Sequence, residues 1–191
     1  MQLNEQQQQV LLSAAKSSIQ QAWSDGEVMA DTLLNEHGLM EHGASFVTLN
    51  KHNQLRGCIG TLQAMRPLAK DVVYNAFNAA FRDPRFSPLQ THEVASLEVE
   101  ISALSQPEPM HDCDSKEALL EQLRPFEDGL ILTDGYKRST FLPSVWEQLP
   151  DKQAFVDYLL RKGGMTAWSE TMRCERYTTF KFGAHWHDIN T

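Results

Sequence analysis

Leu97-Glu98-Val99-Glu100-Ile101-Ser102-Ala103 alternates apolar and polar residues along its whole length. Side chains of a strand point to opposite faces in turn, so Leu97, Val99, Ile101 and Ala103 share a buried face, leaving Glu98, Glu100 and Ser102 on a polar one. Working outward, Phe46-Val-Thr-Leu49 has strand composition, and Lys51-His-Asn-Gln54 is polar enough to turn it into a second strand, Leu55 to Gly60. Gly129–Thr133 and Tyr136–Phe141 flank Asp134-Gly135, a hairpin signal because both turn positions tolerate positive φ. Arg176 to Phe182 reads as a late strand. Helices fall between these strands. Val10, Leu11, Ala14, Ser18, Ile19, Ala22 and Trp23 recur at helical spacing, after a cap at Asn4 and before a stop at Asp25-Gly26. Pro67 suits the first turn of a helix whose stripe is Leu68, Val72, Ala76 and Ala79 or Ala80, and Pro84 stops it near Arg82. Ser87-Pro-Leu-Gln90 and Ser144-Val-Trp-Glu147 read as capping boxes, and Asp151–Lys162 as a helix closed by Gly163. Short helices and hairpins together predict an α+β fold with mainly antiparallel sheet and flanking helices. The aperiodic stretch 108–114 is the expected linker or long loop.

Composition narrows the function classes. The 191 residues include 17 basic and 25 acidic ones, a net charge of −8, which argues against a non-specific nucleic-acid binder. With 41% hydrophobic and 22% charged residues the chain has the makeup of a folded protein. No run approaches the ~18 apolar residues of a membrane span, and the start MQLNEQQQQV lacks the basic and apolar segments of a secretory signal. Cys58, Cys113 and Cys174 fit neither a zinc spacing nor a disulfide framework, so the expected compartment is a reducing cytoplasm.

Residues two apart in a strand share a face, so Arg56, Cys58 and Gly60 point together, while Leu55 and Ile59 face the other way. A guanidinium beside a thiol raises its thiolate fraction, and Gly57 and Gly60 leave room for a ligand to approach the backbone. If this strand neighbours 97–103, Arg56, Cys58, Glu100 and Ser102 converge: Cys58 is then a candidate nucleophile, Glu100 an acid or base, and Arg56 an anion holder. The alternative is a buried structural thiol beside an Arg56–Glu100 ion pair. Asp83-Pro-Arg85-Phe86 offers a similar choice between a clamp for a phosphate or carboxylate and a fastening between two helices, with Phe86 in the core. His185 and His187 would share a face of an extended segment but form only half a metal site, so neither metal nor cofactor is expected.

Phe46-Val-Thr-Leu49, Leu55-Arg-Gly-Cys-Ile-Gly60, Asp83-Pro-Arg-Phe86, Val99-Glu-Ile-Ser102, Phe141-Leu-Pro143 and Lys162-Gly-Gly164, in that order, resemble the AMMECR domain family, whose prokaryotic members are called AmmeMemoRadiSam system protein A. The match runs from about residue 10 to 182 of what reads as a single domain spanning 1–191. It departs from the pattern at Ser144, where glutamine is usual, and at Gly163-Gly164, where alanine-glycine is typical. The resemblance implies two subdomains around a cleft, and partnership with a Memo-like protein and a radical S-adenosylmethionine protein. It implies no settled activity. Two classes therefore stay open: an accessory or substrate-presenting component, or an enzyme using Cys58 with Arg56 and Glu100. The corner at Phe141-Leu-Pro143 and Trp146 is either core or a partner surface.

Overall fold

Asn4 opens the first helix with a reciprocal cap, its side chain accepting the Gln7 N–H at 2.9 Å while the Gln7 side chain accepts the Asn4 N–H at 3.0 Å. In the computed structural model, which describes residues 2–23 and 31–190, this helix is α1 (Glu5–Gln20). The expected stop at Asp25-Gly26 lies outside the described residues. There follow α2 (Asp31–Glu36), β1 (His42–Lys51), β2 (Gln54–Gly60), β3 (Arg66–Pro67), α3 (Leu68–Phe81) and β4 (Leu97–Leu104). Then come β5 (Glu108–Pro109), α4 (Lys116–Gln122), β6 (Gly129–Asp134), β7 (Lys137–Phe141), α5 (Lys152–Lys162), β8 (Arg173–Tyr177) and β9 (Thr179–His185). The fold is α+β with antiparallel sheets, and among the described residues no helix is long and apolar enough to cross a membrane.

The chain divides into two compact units, Met1–Leu104 with Phe180–Thr191 and Ser105–Thr179. Unit 1 holds a sheet in the order β2-β1-β4-β9, with β3 paired to β1. The alternation in β4 resolves as expected: Val99, Ile101 and Ala103 lie with Val47 and Leu49 of β1 in a core closed by Leu11, Ala15 and Ile19 of α1 and by Val72, Ala76 and Ala79 of α3. Each of the valine, leucine and isoleucine side chains contributes about 1.5–3 kcal/mol by leaving water. The β1–β2 turn has His52 and Asn53 at φ 52 and 59, the left-handed pair that a two-residue hairpin requires. Unit 2 holds a sheet in the order β5-β8-β6-β7 over its own core.

Several sequence expectations shift. The cap near Ser87 sits three residues later: the Gln90 side chain and Glu93 form the box, and it opens a 3₁₀ turn, Thr91–Ser96. Ser144 caps nothing; Pro143 begins a 3₁₀ turn, Pro143–Glu147, whose N-cap Leu142 makes no side-chain bond. In the β6–β7 hairpin Asp134 pairs with Lys137, so the turn is Gly135-Tyr136, with only Gly135 at positive φ. Within the stretch 108–114, β5 pairs with β8. The single late strand is two strands in two sheets, parted at Thr178, whose N–H binds the Ser105 hydroxyl while its carbonyl accepts the Ser105 N–H. Trp146 is core: fully buried, it stacks on Phe155 at 3.7 Å and donates to the Asp128 carbonyl at 2.7 Å.

Candidate functional site

The edge of the unit 1 sheet is β2, and an edge strand leaves backbone groups without a ladder partner. At Cys58 the Asp83-Pro-Arg-Phe86 segment supplies them. The Asp83 carboxylate accepts the Cys58 N–H at 2.9 Å, and the Arg85 guanidinium donates to the Cys58 carbonyl at 3.1 Å. Asp83 also accepts from the Arg85 backbone at 3.1 Å and from its Nε and Nη2 at 2.9 and 2.7 Å. The bond from Arg85 holds the buried Asp83 carboxyl well below the usual carboxylate range. This is the fastening role, directed at the β2 edge. Phe86 is half-buried outside the core, its ring 5.8 Å from the Arg56 guanidinium and 5.5 Å from that of Arg85.

Arg56 does not meet Glu100. A register shift between Leu49 and Asn50 leaves Arg56 unpaired in the β1–β2 ladder, and its guanidinium reaches the 3₁₀ turn instead. Nε and Nη2 donate to the two Glu93 oxygens at 3.0 and 2.9 Å, a fork-on-carboxylate geometry, and Nη2 also donates to the Ser87 carbonyl at 3.0 Å. Glu93 further accepts from Lys51 Nζ at 3.0 Å and from the Gln90 N–H at 3.0 Å, and its carboxyl is lowered from 4.5 to about 2, chiefly by Arg56. Arg56 Nη1 is buried without a partner.

Cys58 is half-buried, and its sulfur accepts the Thr48 hydroxyl at 3.3 Å. The cation bonded at Cys58 is Arg85, through the backbone carbonyl, whereas Arg56 turns to Glu93. Thr48 is the register partner of Cys58 on one side and of Glu100 on the other, so the three form a row across β2, β1 and β4. Neighbouring strands lie about 4.8 Å apart, which puts Cys58 and Glu100 roughly 10 Å apart and out of contact. Glu100 pairs instead with Lys181 of β9 at 3.0 Å. Ser102 pairs with Phe46 one step along the same face. The space beside the motif glycines is taken, not left for a ligand. A Cβ on Gly57 would lie 2.1 Å from the Ala79 carbonyl of α3, and one on Gly60 would lie 2.2 Å from the Phe46 ring. The sheet face away from α1 and α3 thus carries Phe46, Thr48, Cys58, Glu100, Ser102 and Lys181.

Beneath it lies a polar cluster that periodicity did not reveal. The Asp71 carboxylate, fully buried on α3, accepts from the Ser45 N–H and hydroxyl at 2.8 Å each, from Thr61 at 2.7 Å and from Asn75 at 2.9 Å, with Arg66 at 3.5 Å. Asp71 and Asn75 are spaced i, i+4, so polar residues one turn apart beside an apolar stripe were the available signal. Glu93, Thr48 and Lys181 were likewise not singled out. His185 ends β9 and His187 lies in the following 3₁₀ turn, Trp186–Asp188; among the described residues no three His, Cys, Asp or Glu side chains gather as a metal-binding group.

Comparison with known proteins places this architecture. A protein of Thermofilum pendens is 30% identical over 167 residues, covering 82% of this chain and 78% of its own. A Thermotoga maritima protein is 31% identical over 154 residues, covering 80% and 84%. The crystal structure of an uncharacterized protein from Pyrococcus horikoshii superposes with a TM-score of 0.77 at 26% identity, over 95% of this chain and 93% of that one. The AMMECR1 family matches residues 12–182, a span holding the whole Arg56–Glu93, Asp83–Arg85 and Cys58–Thr48–Glu100 arrangement, and the chain belongs to that family.

Proposed function

We propose that this protein is a non-catalytic accessory or substrate-presenting component, working with a Memo-like protein and a radical S-adenosylmethionine protein, and that it offers them the polar sheet face around Thr48, Glu100 and Ser102. One observation carries the reading: Arg56, Asp83 and Arg85 are bonded to groups of the protein itself, Arg56 to Glu93 and the Ser87 carbonyl, Asp83 and Arg85 to each other and to the Cys58 backbone, and so secure the β2 edge. A nucleophilic thiol needs a base within hydrogen-bond reach. The group hydrogen-bonded to the Cys58 sulfur is the Thr48 hydroxyl, which does not take a proton near neutral pH. Membership of the family supports the choice of partners, since the partnership is what the motif resemblance implies.

The test is co-purification of the three proteins with S-adenosylmethionine and reductant present. Wild-type protein should retain both partners. Glu100→Lys and Ser102→Arg change the face without entering the core, and each should release at least one partner while leaving thermal stability nearly unchanged. Absence of any association by wild type, or full retention by both variants, overturns the proposal.

A further inference from the structure

Unit 2 brings together two of the three cysteines, although they lie far apart in the chain. Cys174 sits on β8 and Cys113 in the loop between β5 and α4; both are buried and line one pocket, each close enough to influence the other, and the Cys113 thiol donates to the His111 carbonyl at 3.7 Å. The loop is secured around them. The Met110 N–H donates to the Cys174 carbonyl at 2.8 Å. The Gln122 amide donates to the His111 carbonyl at 2.9 Å, to the Asp112 carbonyl at 3.2 Å and to the Cys113 sulfur at 3.5 Å. The thioethers of Met110 and Met172 line the same pocket of about 520 Å³ as the two thiols.

We propose that Cys113 and Cys174, with a thioether of Met110 or Met172 as a third donor, bind a soft monovalent cation, Cu(I). Thiolate and thioether donors select Cu(I), and the thiol pair supplies the two-sulfur core of a low-coordinate site. Zinc takes a tetrahedral shell of sulfur, imidazole or carboxylate donors. Among the described residues no third His, Cys, Asp or Glu joins the thiol pair, so that shell is not built here. Binding involves no electron transfer: Cu⁺ forms two bonds to thiolate sulfur and one to a thioether sulfur, both S–H bonds break, and two protons leave to solvent. The Gln122 N–H already aimed at Cys113 then hydrogen-bonds a coordinated thiolate, an outer-shell contact that orients the ligand. This site is separate from the unit 1 sheet face and stands independently of the accessory role.

Reduced protein should be titrated without oxygen against Cu(I) supplied as its bicinchoninate complex. The expected result is transfer of one Cu(I) per chain, a thiolate-to-copper charge-transfer band, and release of two protons. Cys113→Ala and Cys174→Ala should each abolish transfer, Cys58→Ala should retain it, and either Met110→Leu or Met172→Leu should weaken it about tenfold. Copper-edge X-ray absorption of the loaded wild type keeps the test open if a cysteine variant does not fold, and it should show a sulfur-only shell. The proposal is overturned by no transfer, by transfer that survives the Cys113/Cys174 double substitution or disappears in Cys58→Ala, by a nitrogen or oxygen shell, by preference for Zn(II), or by a Cys113–Cys174 disulfide with copper released.

Discussion

Glu93 joins two groups that are distant in sequence, Arg56 on β2 and Lys51 at the end of β1, to its own turn, through the Gln90 backbone and, by way of Arg56, the Ser87 carbonyl. Its side chain is 10% exposed and that of Arg56 12%, so the pair lies largely out of water and loss of one partner leaves a buried charge uncompensated. Glu93→Gln should therefore cost about 3 kcal/mol, the lower end for breaking a buried pair. The pH dependence follows from the direction of the shift. Because the folded carboxyl is lowered from 4.5 to about 2, its stabilisation is complete above the unfolded value and is lost as pH falls from 4.5 toward 2. Asp83, also lowered, acts in the same sense at still lower pH. Urea unfolding between about pH 5 and about pH 2.5 should show wild type losing more stability than Glu93→Gln, since the amide has no proton to gain. Parallel pH profiles for the two proteins would place the acid sensitivity elsewhere.

At the level of elements, the Arg-Gly-Cys-Ile-Gly segment joins a strand to a helix. Gly57 lets the Ala79 carbonyl of α3 press against β2, where a Cβ would lie 2.1 Å away from backbone that cannot step aside. A Cβ on Gly60 would meet the Phe46 ring at 2.2 Å, and a ring can rotate. Gly57→Ala should thus cost about 3 kcal/mol or more and Gly60→Ala nearer 1, read from urea midpoints. Equal losses would mean that α3 shifts as freely as a side chain. This pairing also marks the limit of sequence reading. Strands β1, β2, β4, β6 and β7, the α3 stripe and its end near Arg82, the α5 helix closed at Gly163 and the hairpin turn at 51–54 were legible because each depends on spacing within a few residues. The site was legible only in its members. Arg56, Cys58, Glu100, Asp83 and Arg85 were singled out, but their partners depend on register: a bulge beside Asn50 sends Arg56 to Glu93, and β1 lies between Cys58 and Glu100. Gln90 and Glu93 had capping-box spacing of their own, hidden behind the Ser87 pattern.

On the scale of the whole chain, unit 2 is a continuous insertion, Ser105–Thr179, between two parts of unit 1. That crossing was not legible from 176–182, because β-rich composition runs through Thr178 without a glycine or proline to mark the change of sheet. The crossing is visible only in pairing: Ser105 and Thr178 exchange two bonds, Ser105 N–H to the Thr178 carbonyl at 2.9 Å and Thr178 N–H to the Ser105 hydroxyl at 3.0 Å. The ends of the insertion are therefore adjacent, as they are in domains that tolerate excision. Unit 2 also has its own core, in which Leu119, Leu130, Leu132, Trp146, Phe155 and Leu159 are fully buried. Residues 105–179 expressed alone should fold cooperatively, with the stability of only a few kcal/mol typical of a domain this small. Trp146 and Trp168 are the only tryptophans of that fragment, the first in its core and the second packed against it, so its fluorescence reports that core and should shift to longer wavelength in one urea transition. Trp146→Ala should remove about 3–5 kcal/mol and leave the fragment unfolded. A fragment that shows water-exposed tryptophan emission without denaturant would mean that the unit 2 core does not suffice on its own.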